Sequence, residues 1–150
     1  MQRLLVMAAI IGTSVAASPI PIASATTSSY VTSVRTGHHA TYDRLVLTFH
    51  GPVPSFAIHY VKVVRADASG KVVKLEGQAK LRIVVHPTLS TANEPQGTWT
   101  PRLPEIRQVK GAGNFEGYTS YGVGLAAHRP YHAFTLASPS RLVVDVRLPA

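Results

Sequence analysis

Cysteine is missing from all 150 residues of the chain. That absence excludes a disulfide framework, a disulfide-linked partner, thiolate metal ligands and a thiol nucleophile together. Acidic residues are scarce as well: there are 7, against 15 Lys and Arg, and the formal net charge is +8. Glycoside hydrolysis needs two carboxylates held across a cleft, and no spacing among the seven brings a pair together. Serine catalysis lacks the G-x-S-x-G elbow. The 7 histidines form neither H-E-x-x-H nor H-x-H, and with no cysteine to complete a zinc site the nearest approach to metal donors is His38, His39 and His86 in expected loops. Gly111-Ala112-Gly113 has the start of a dinucleotide loop, but no helix follows to present amides to a phosphate. No catalytic residue, no cofactor and no metal site are therefore expected.

Long apolar runs are also absent. The one that exists begins at Leu4 and is diluted by Gly12, Thr13 and Ser14, which is too short and too interrupted to span a bilayer comfortably. It follows a weakly positive start at Arg3 and precedes Ser18-Pro19-Ile20-Pro21 and the small-residue triplet Ala23-Ser24-Ala25. Residues 1–25 thus read as a cleaved secretory signal peptide, with a retained anchor as the alternative. The expected product, residues 26–150, is one domain with enough chain for a single core. Arg3 is the one charged residue before Arg35, so the positive excess belongs to the exported part. A basic exported domain favours anionic partners such as wall polymers, lipid head groups or acidic proteins, and a nucleic-acid partner is not expected.

What the remainder holds is strand after strand. Thr27 to Arg35, Tyr42 to Phe49, Phe56 to Val64, Lys71 to Leu75, Ala79 to Val85, Tyr131 to Leu136 and Arg141 to Leu148 alternate apolar and polar residues or are rich in β-formers. Leu45, Leu47 and Phe49 share one face, as do Leu81, Ile83 and Val85. Gly51-Pro52-Val53-Pro54, Asp67-Ala68-Ser69-Gly70, Glu76-Gly77-Gln78 and Ser138-Pro139-Ser140 supply turns. Gly111-Ala112-Gly113-Asn114 is expected to be another, after a bulged strand at Glu105 to Lys110. His86 to Pro104 carries four prolines and is expected to be a long loop. The glycines in Phe115 to Ala126 mark bends or close approach of neighbouring backbone. The predicted fold class is all-β, a single small β-sandwich of short, mostly antiparallel strands. Asp43-Arg44-Leu45-Val46-Leu47 is echoed by Ser140-Arg141-Leu142-Val143-Val144, which suggests related places in the two sheets.

Two groups of residues invite a ligand. Arg44, Arg141 and Arg147 are candidate electrostatic contacts, although Arg44 and Arg141 begin core strands and are also placed to pair with Asp145 or Asp43. Trp99, Tyr118 and Tyr121 are candidate contacts with a sugar or a stem peptide. Tyr118 and Tyr121, three apart, face opposite sides of a regular strand. Trp99 either reaches a ligand or caps one end of the sheets as a buried indole.

The segment Phe115 to Leu125, followed by Arg129-Pro130-Tyr131 and the closing Ser138-Pro139-Ser140-Arg141-Leu142-Val143-Val144-Asp145-Val146, resembles the AMIN-like domain of exported actinobacterial proteins. The opening Val34-Arg35-Thr36-Gly37 and Asp43-Arg44-Leu45-Val46 fit the same picture. The arginine before a hydrophobic strand that contains aspartate is similar to the wider AMIN family. What the resemblance implies is a β-sandwich in a secreted, periplasmic or cell-wall setting, and a non-catalytic domain contacting peptidoglycan or another anionic envelope polymer. In the wider family catalysis belongs to a separate zinc amidase domain, for which 150 residues are expected to leave no room. Two alternatives stand beside that reading: a protein–protein interaction subunit of an envelope complex, and a small metal-binding protein or enzyme.

Overall fold

The computed structural model describes residues 28–150; the expected leader, and Thr27 at the start of the first expected strand, lie outside that range. Eleven strands follow one another: β1 (Tyr30–His38), β2 (Tyr42–His50), β3 (Ser55–Val61), β4 (Val64–Arg65), β5 (Val72–Val73), β6 (Ala79–His86), β7 (Thr98–Trp99), β8 (Ile106–Phe115), β9 (Tyr118–Leu125), β10 (Tyr131–Leu136) and β11 (Arg141–Arg147). They form a four-stranded sheet in the order β1-β2-β11-β10, a five-stranded sheet in the order β3-β6-β9-β8-β7, and the small pair β4-β5. Every pairing is antiparallel. The all-β class expected from the alternation is the class observed.

The period-two pattern fixes the inner faces. Leu45, Leu47 and Phe49 of β2, with Leu142, Val144 and Val146 of β11, meet Leu81, Ile83 and Val85 of β6 and Tyr121, Val123 and Leu125 of β9 in one core. Polar bonds lock the layers as well. The buried Asp43 carboxylate accepts the backbone N–H groups of Glu105 and Ile106 at 2.6 and 3.0 Å, and the Tyr131 hydroxyl donates to the Ile58 carbonyl at 2.8 Å.

Three local expectations are corrected. Gly111-Ala112-Gly113-Asn114 is not a turn: β8 runs through it, with irregular register at Ile106/Gln108 and Gly111/Gly113, and the chain reverses at Glu116-Gly117. Both residues have positive φ, 49° and 80°. This is the left-handed pair that a two-residue hairpin needs, because its twist matches the flanking strands. Within the proline-rich stretch, Thr98 and Trp99 pair with Lys110 and Val109 as a short edge strand. The echoed segments lie not in two sheets but side by side in one, β2 against β11.

The glycines of β9 have the use anticipated for them. A side chain on Gly124 would run into the carbonyl of Glu76, and one on Gly122 would meet Leu75 and Val64 at 2.9 and 3.0 Å. Bare backbone at these two positions lets the β4–β5 segment lie directly on the outside of the five-stranded sheet.

Candidate functional site

Among the described residues no such cover lies over the four-stranded sheet. Its outer face is built by strand parity from the residues that alternate with the core. In β2 these are Tyr42, Arg44, Val46 and Thr48, and in β11 Arg141, Val143, Asp145 and Arg147. The register sets them opposite one another: Arg147 by Tyr42, Asp145 by Arg44, Val143 by Val46, and Arg141 by Thr48. On one flank β1 brings Arg35 beside Val46 and Ser33 beside Thr48. On the other, β10 brings His132 beside Asp145, Phe134 beside Val143 and Leu136 beside Arg141.

Long side chains roof this face. Arg44 donates from Nε and Nη2 to the two carboxylate oxygens of Asp145, at 2.7 and 2.8 Å. Its guanidinium carbon lies 5.0 Å from the ring centre of Tyr42 and 5.6 Å from that of Phe134, within cation–π range. The hydrogen bond to Asp145 raises the Arg44 pKa above its ordinary value against the opposing effect of burial. Val143 points outward yet is only 1% exposed, so the long side chains cover the middle of the face although no other described segment packs on it.

The face is basic because Asp145 is the one acidic side chain among these outer-face residues, and Arg44 takes both of its oxygens. The ion pairs among the described residues are Arg44–Asp145, Arg82–Asp67, Arg102–Glu76, Arg129–Glu105 and His38–Asp43. Arg35, Arg141 and Arg147 take part in none of them. Beside a hollow of about 350 Å³ where Arg147 meets Leu148, Pro149 and Ala150, two more open next to these arginines. One of about 530 Å³ is lined by Tyr42, Tyr131, His132, Asp145 and Arg147 with Thr41 and Pro130. The other, of about 390 Å³, is lined by Ser33, Arg35, Val46, Thr48, Pro139 and Arg141.

The structure divides the residues singled out in the sequence. Arg44, Arg141 and Arg147 come together on this one face, with Arg44 committed to Asp145 as the pairing alternative held. The three aromatics belong to the five-stranded sheet. Trp99 is half-buried, packs on the core and lies 6.4 Å from Tyr121. Tyr118 is 47% exposed and stacks on His86 with ring centres 4.0 Å apart. Tyr121 is 0% exposed and donates its hydroxyl to the Pro95 carbonyl at 2.7 Å, so it presents nothing to a ligand and leaves the candidate set. Its row with Val123 and Leu125, read from the alternation of Tyr121-Gly122-Val123-Gly124-Leu125, is the signal that marks it as core.

Arg35, Tyr42, His132 and Phe134 were not singled out in the sequence, yet they stand beside the arginines. Tyr42 shares the face of Arg44 by parity, the registers of the consecutive pairs β1–β2 and β10–β11 bring in Arg35, His132 and Phe134, and the β2–β11 pairing joins the two halves. His38, His39 and His86 are each engaged: His38 Nδ1 lies 2.8 Å from Asp43, while His39 stacks on Tyr42 and His86 on Tyr118. Among the described residues no group of three or more His, Asp or Glu gathers as a metal would require.

An antiparallel sandwich with one open basic face defines the class of the molecule, and comparison with known families supplies the rest. The chain belongs to the AMIN-like domain family, whose profile matches residues 29–148. That span takes in every described strand, including the whole open face. Domains of this family are in general non-catalytic binding domains of exported, envelope-associated proteins. Comparison with curated proteins finds no match.

Proposed function

We propose that the chain is exported behind a leader ending near Ala25, and that its AMIN-like domain binds the cell wall through the outer face of the four-stranded sheet. The ligand in this reading is peptidoglycan or another anionic envelope polymer, and no catalysis takes place. One observation carries it: Arg35, Arg141 and Arg147, none of them in an ion pair among the described residues, share a single open face with Tyr42, His132 and Phe134. Guanidinium forks match carboxylate and phosphate oxygens, and the rings give a polymer apolar surface to lie against. The family's general association with the envelope points the same way.

The test is sedimentation of the purified chain with insoluble peptidoglycan at low and high salt. Retention that survives high salt and is lost in the double variant Arg141→Gln/Arg147→Gln supports the reading. Retention abolished by salt in native and variant chains alike reduces it to adhesion by net charge.

A second reading rests on a different part of the surface. Leu89, Phe115 and Tyr118 are 46, 46 and 47% exposed. They lie together at the β8–β9 turn, where Phe115 pairs with Tyr118 and the Asn114 side chain donates to the Leu89 carbonyl. An exposed apolar cluster of this kind favours an envelope protein as partner. Absence of wall binding at either salt, with capture of an envelope protein lost in Phe115→Ser, would select this reading.

A further inference from the structure

We propose that the hollow between Arg35 and Arg141 is a phosphate subsite. It rests on the outer face being the binding surface, and it names a phosphoryl group as the chemistry recognised there.

Arg35 sits opposite Val46 across β1–β2, and Arg141 sits opposite Thr48 across β2–β11. The two arginines therefore stand on either side of β2, two strand spacings apart and offset by one same-face step, which separates their Cα atoms by about 12 Å. Both line the hollow of about 390 Å³, whose remaining walls are Ser33, Val46, Thr48 and Pro139. Arg141 donates its Nε to the Pro139 carbonyl at 3.2 Å. That bond uses the inner nitrogen, steadies the side chain and leaves the terminal amino groups for a guest.

Charge distinguishes this hollow from its neighbour. The hollow of about 530 Å³ contains Asp145 beside Arg147, so an anion entering it meets both signs. No carboxylate lines the Arg35–Arg141 hollow, and Asp145 on the same face has both oxygens taken by Arg44. A guest there meets two guanidinium groups and no opposing charge.

Geometry then selects among anions. A carboxylate is planar and is satisfied by one guanidinium fork. Guanidinium groups on two sides, with Ser33 and Thr48 also in the lining, suit a tetrahedral group whose oxygens point in several directions. The site is open to water, where screening weakens each contact. A group carrying more than one negative charge gains correspondingly more from the pair of arginines. The volume leaves space for a substituent, as on a glycerol or sugar phosphate.

The experiment is a titration of the isotope-labelled chain with inorganic phosphate, and separately with glycerol 3-phosphate, at constant ionic strength, followed by nuclear magnetic resonance. Saturable shifts are expected at Ser33, Arg35, Thr48 and Arg141. Arg35→Gln and Arg141→Gln are each expected to weaken the apparent affinity about fivefold. Lys71→Gln removes the same charge next to β5, in the β4–β5 segment that covers the other sheet, and is expected to leave the affinity unchanged. Equal shifts with acetate, or equal weakening in Lys71→Gln, overturn the subsite.

Two further arms separate it from the wall reading and locate the phosphoryl group. Sedimentation on phosphate-free peptidoglycan with a silent phosphate titration retains the wall reading and removes the subsite. Saturable phosphate binding without any sedimentation does the reverse. Phosphatidylglycerol vesicles that sediment the chain, and release it to glycerol 3-phosphate, assign the group to a lipid headgroup. Vesicles that leave it in solution while glycerol 3-phosphate binds assign it to a soluble or polymer-borne phosphate.

Discussion

Asp43 of the four-stranded sheet receives the backbone N–H of Glu105, where the chain enters β8 of the other sheet, at 2.6 Å. The same oxygen accepts from Ile106 at 3.0 Å, and the second oxygen meets His38 at 2.8 Å. A fully buried carboxylate is stable only when its lone pairs are so occupied. Here the donors come from both layers, so this one side chain ties the sandwich together at the end where β2 begins.

Asp43→Ala is expected to cost about 3 kcal/mol, because it strands two buried amide donors and removes charge-assisted bonds. Asp43→Asn retains one acceptor oxygen and is expected to fall between the two. Urea midpoints of the three proteins check the order. An unchanged midpoint in Asp43→Ala would show that water replaces the carboxylate without penalty.

Arg44 and Asp145, 101 residues apart in the chain, are joined by two parallel hydrogen bonds. Their side chains are 29 and 15% exposed. A two-pronged pair in this setting is expected to show a coupling of about 1 kcal/mol in a double-mutant cycle. Asp145→Asn is expected to have a second effect: it frees Arg44 and adds one positive charge to the open face. Retention on an anionic wall polymer should therefore rise as stability falls. A parallel fall in both would indicate that the pair maintains the shape of the face rather than holding Arg44 back.

Gly122 and Gly124 separate packing from chain entropy. Gly124→Ala drives a methyl group into the Glu76 carbonyl, and the β4–β5 segment must lift from the sheet. A loss of about 2 kcal/mol or more is expected, with Gly122→Ala costing less because its neighbours are side chains that can turn. Gly37 has nothing within 4 Å of the added carbon. Gly37→Ala is expected to be neutral or to stabilise by about 0.5 kcal/mol through the unfolded state. Thermal melts of the three variants decide the matter, and equal effects would contradict the packing argument.

These cases mark what could be read from the chain and what could not. Leu45-Leu47-Phe49 and Leu81-Ile83-Val85 alternate in sequence, and each set faces the core. Parity alone also places Arg141 and Arg147, six apart in one strand, on a common face. That Arg44 joins them opposite Asp145 depends on pairing between distant strands, and that Arg35 arrives from β1 depends on the register of the β1–β2 pair; alternation encodes neither. The turn was misplaced at Gly111-Ala112-Gly113-Asn114 because three turn-forming residues outweigh Glu116-Gly117 by propensity. Bulges absorb the first set within β8, while positive φ at both residues of the second set makes the hairpin. Tyr121 was misread for a related reason, as an aromatic beside glycines can stack on a ligand or fill a core, and only its row with Val123 and Leu125 decides between them.

The buried Tyr121 gives the fold a characteristic response to alkali. Burial pushes its hydroxyl pKa well above the ordinary value of 10.0, with Glu94 acting in the same direction, and burial shifts Tyr60 upward too. In the unfolded chain the Tyr121 phenol ionises near its ordinary value, whereas in the folded chain it keeps its proton. Above that value the folded state binds more protons, so stability is fully present below about pH 10 and is lost as pH rises further, by up to about 1.4 kcal/mol per pH unit for Tyr121. Tyr121→Phe is expected to start about 1 kcal/mol less stable at neutral pH, through loss of the bond to Pro95. Its stability should then decline less steeply in alkali, by the slope of one proton. Denaturant unfolding from pH 7 to 11.5, with phenolate absorbance recorded alongside, checks both parts. If the Tyr121 phenolate formed in the folded chain near pH 10, or the two proteins lost stability with the same slope, the ring would not be sealed in the core as the structure places it.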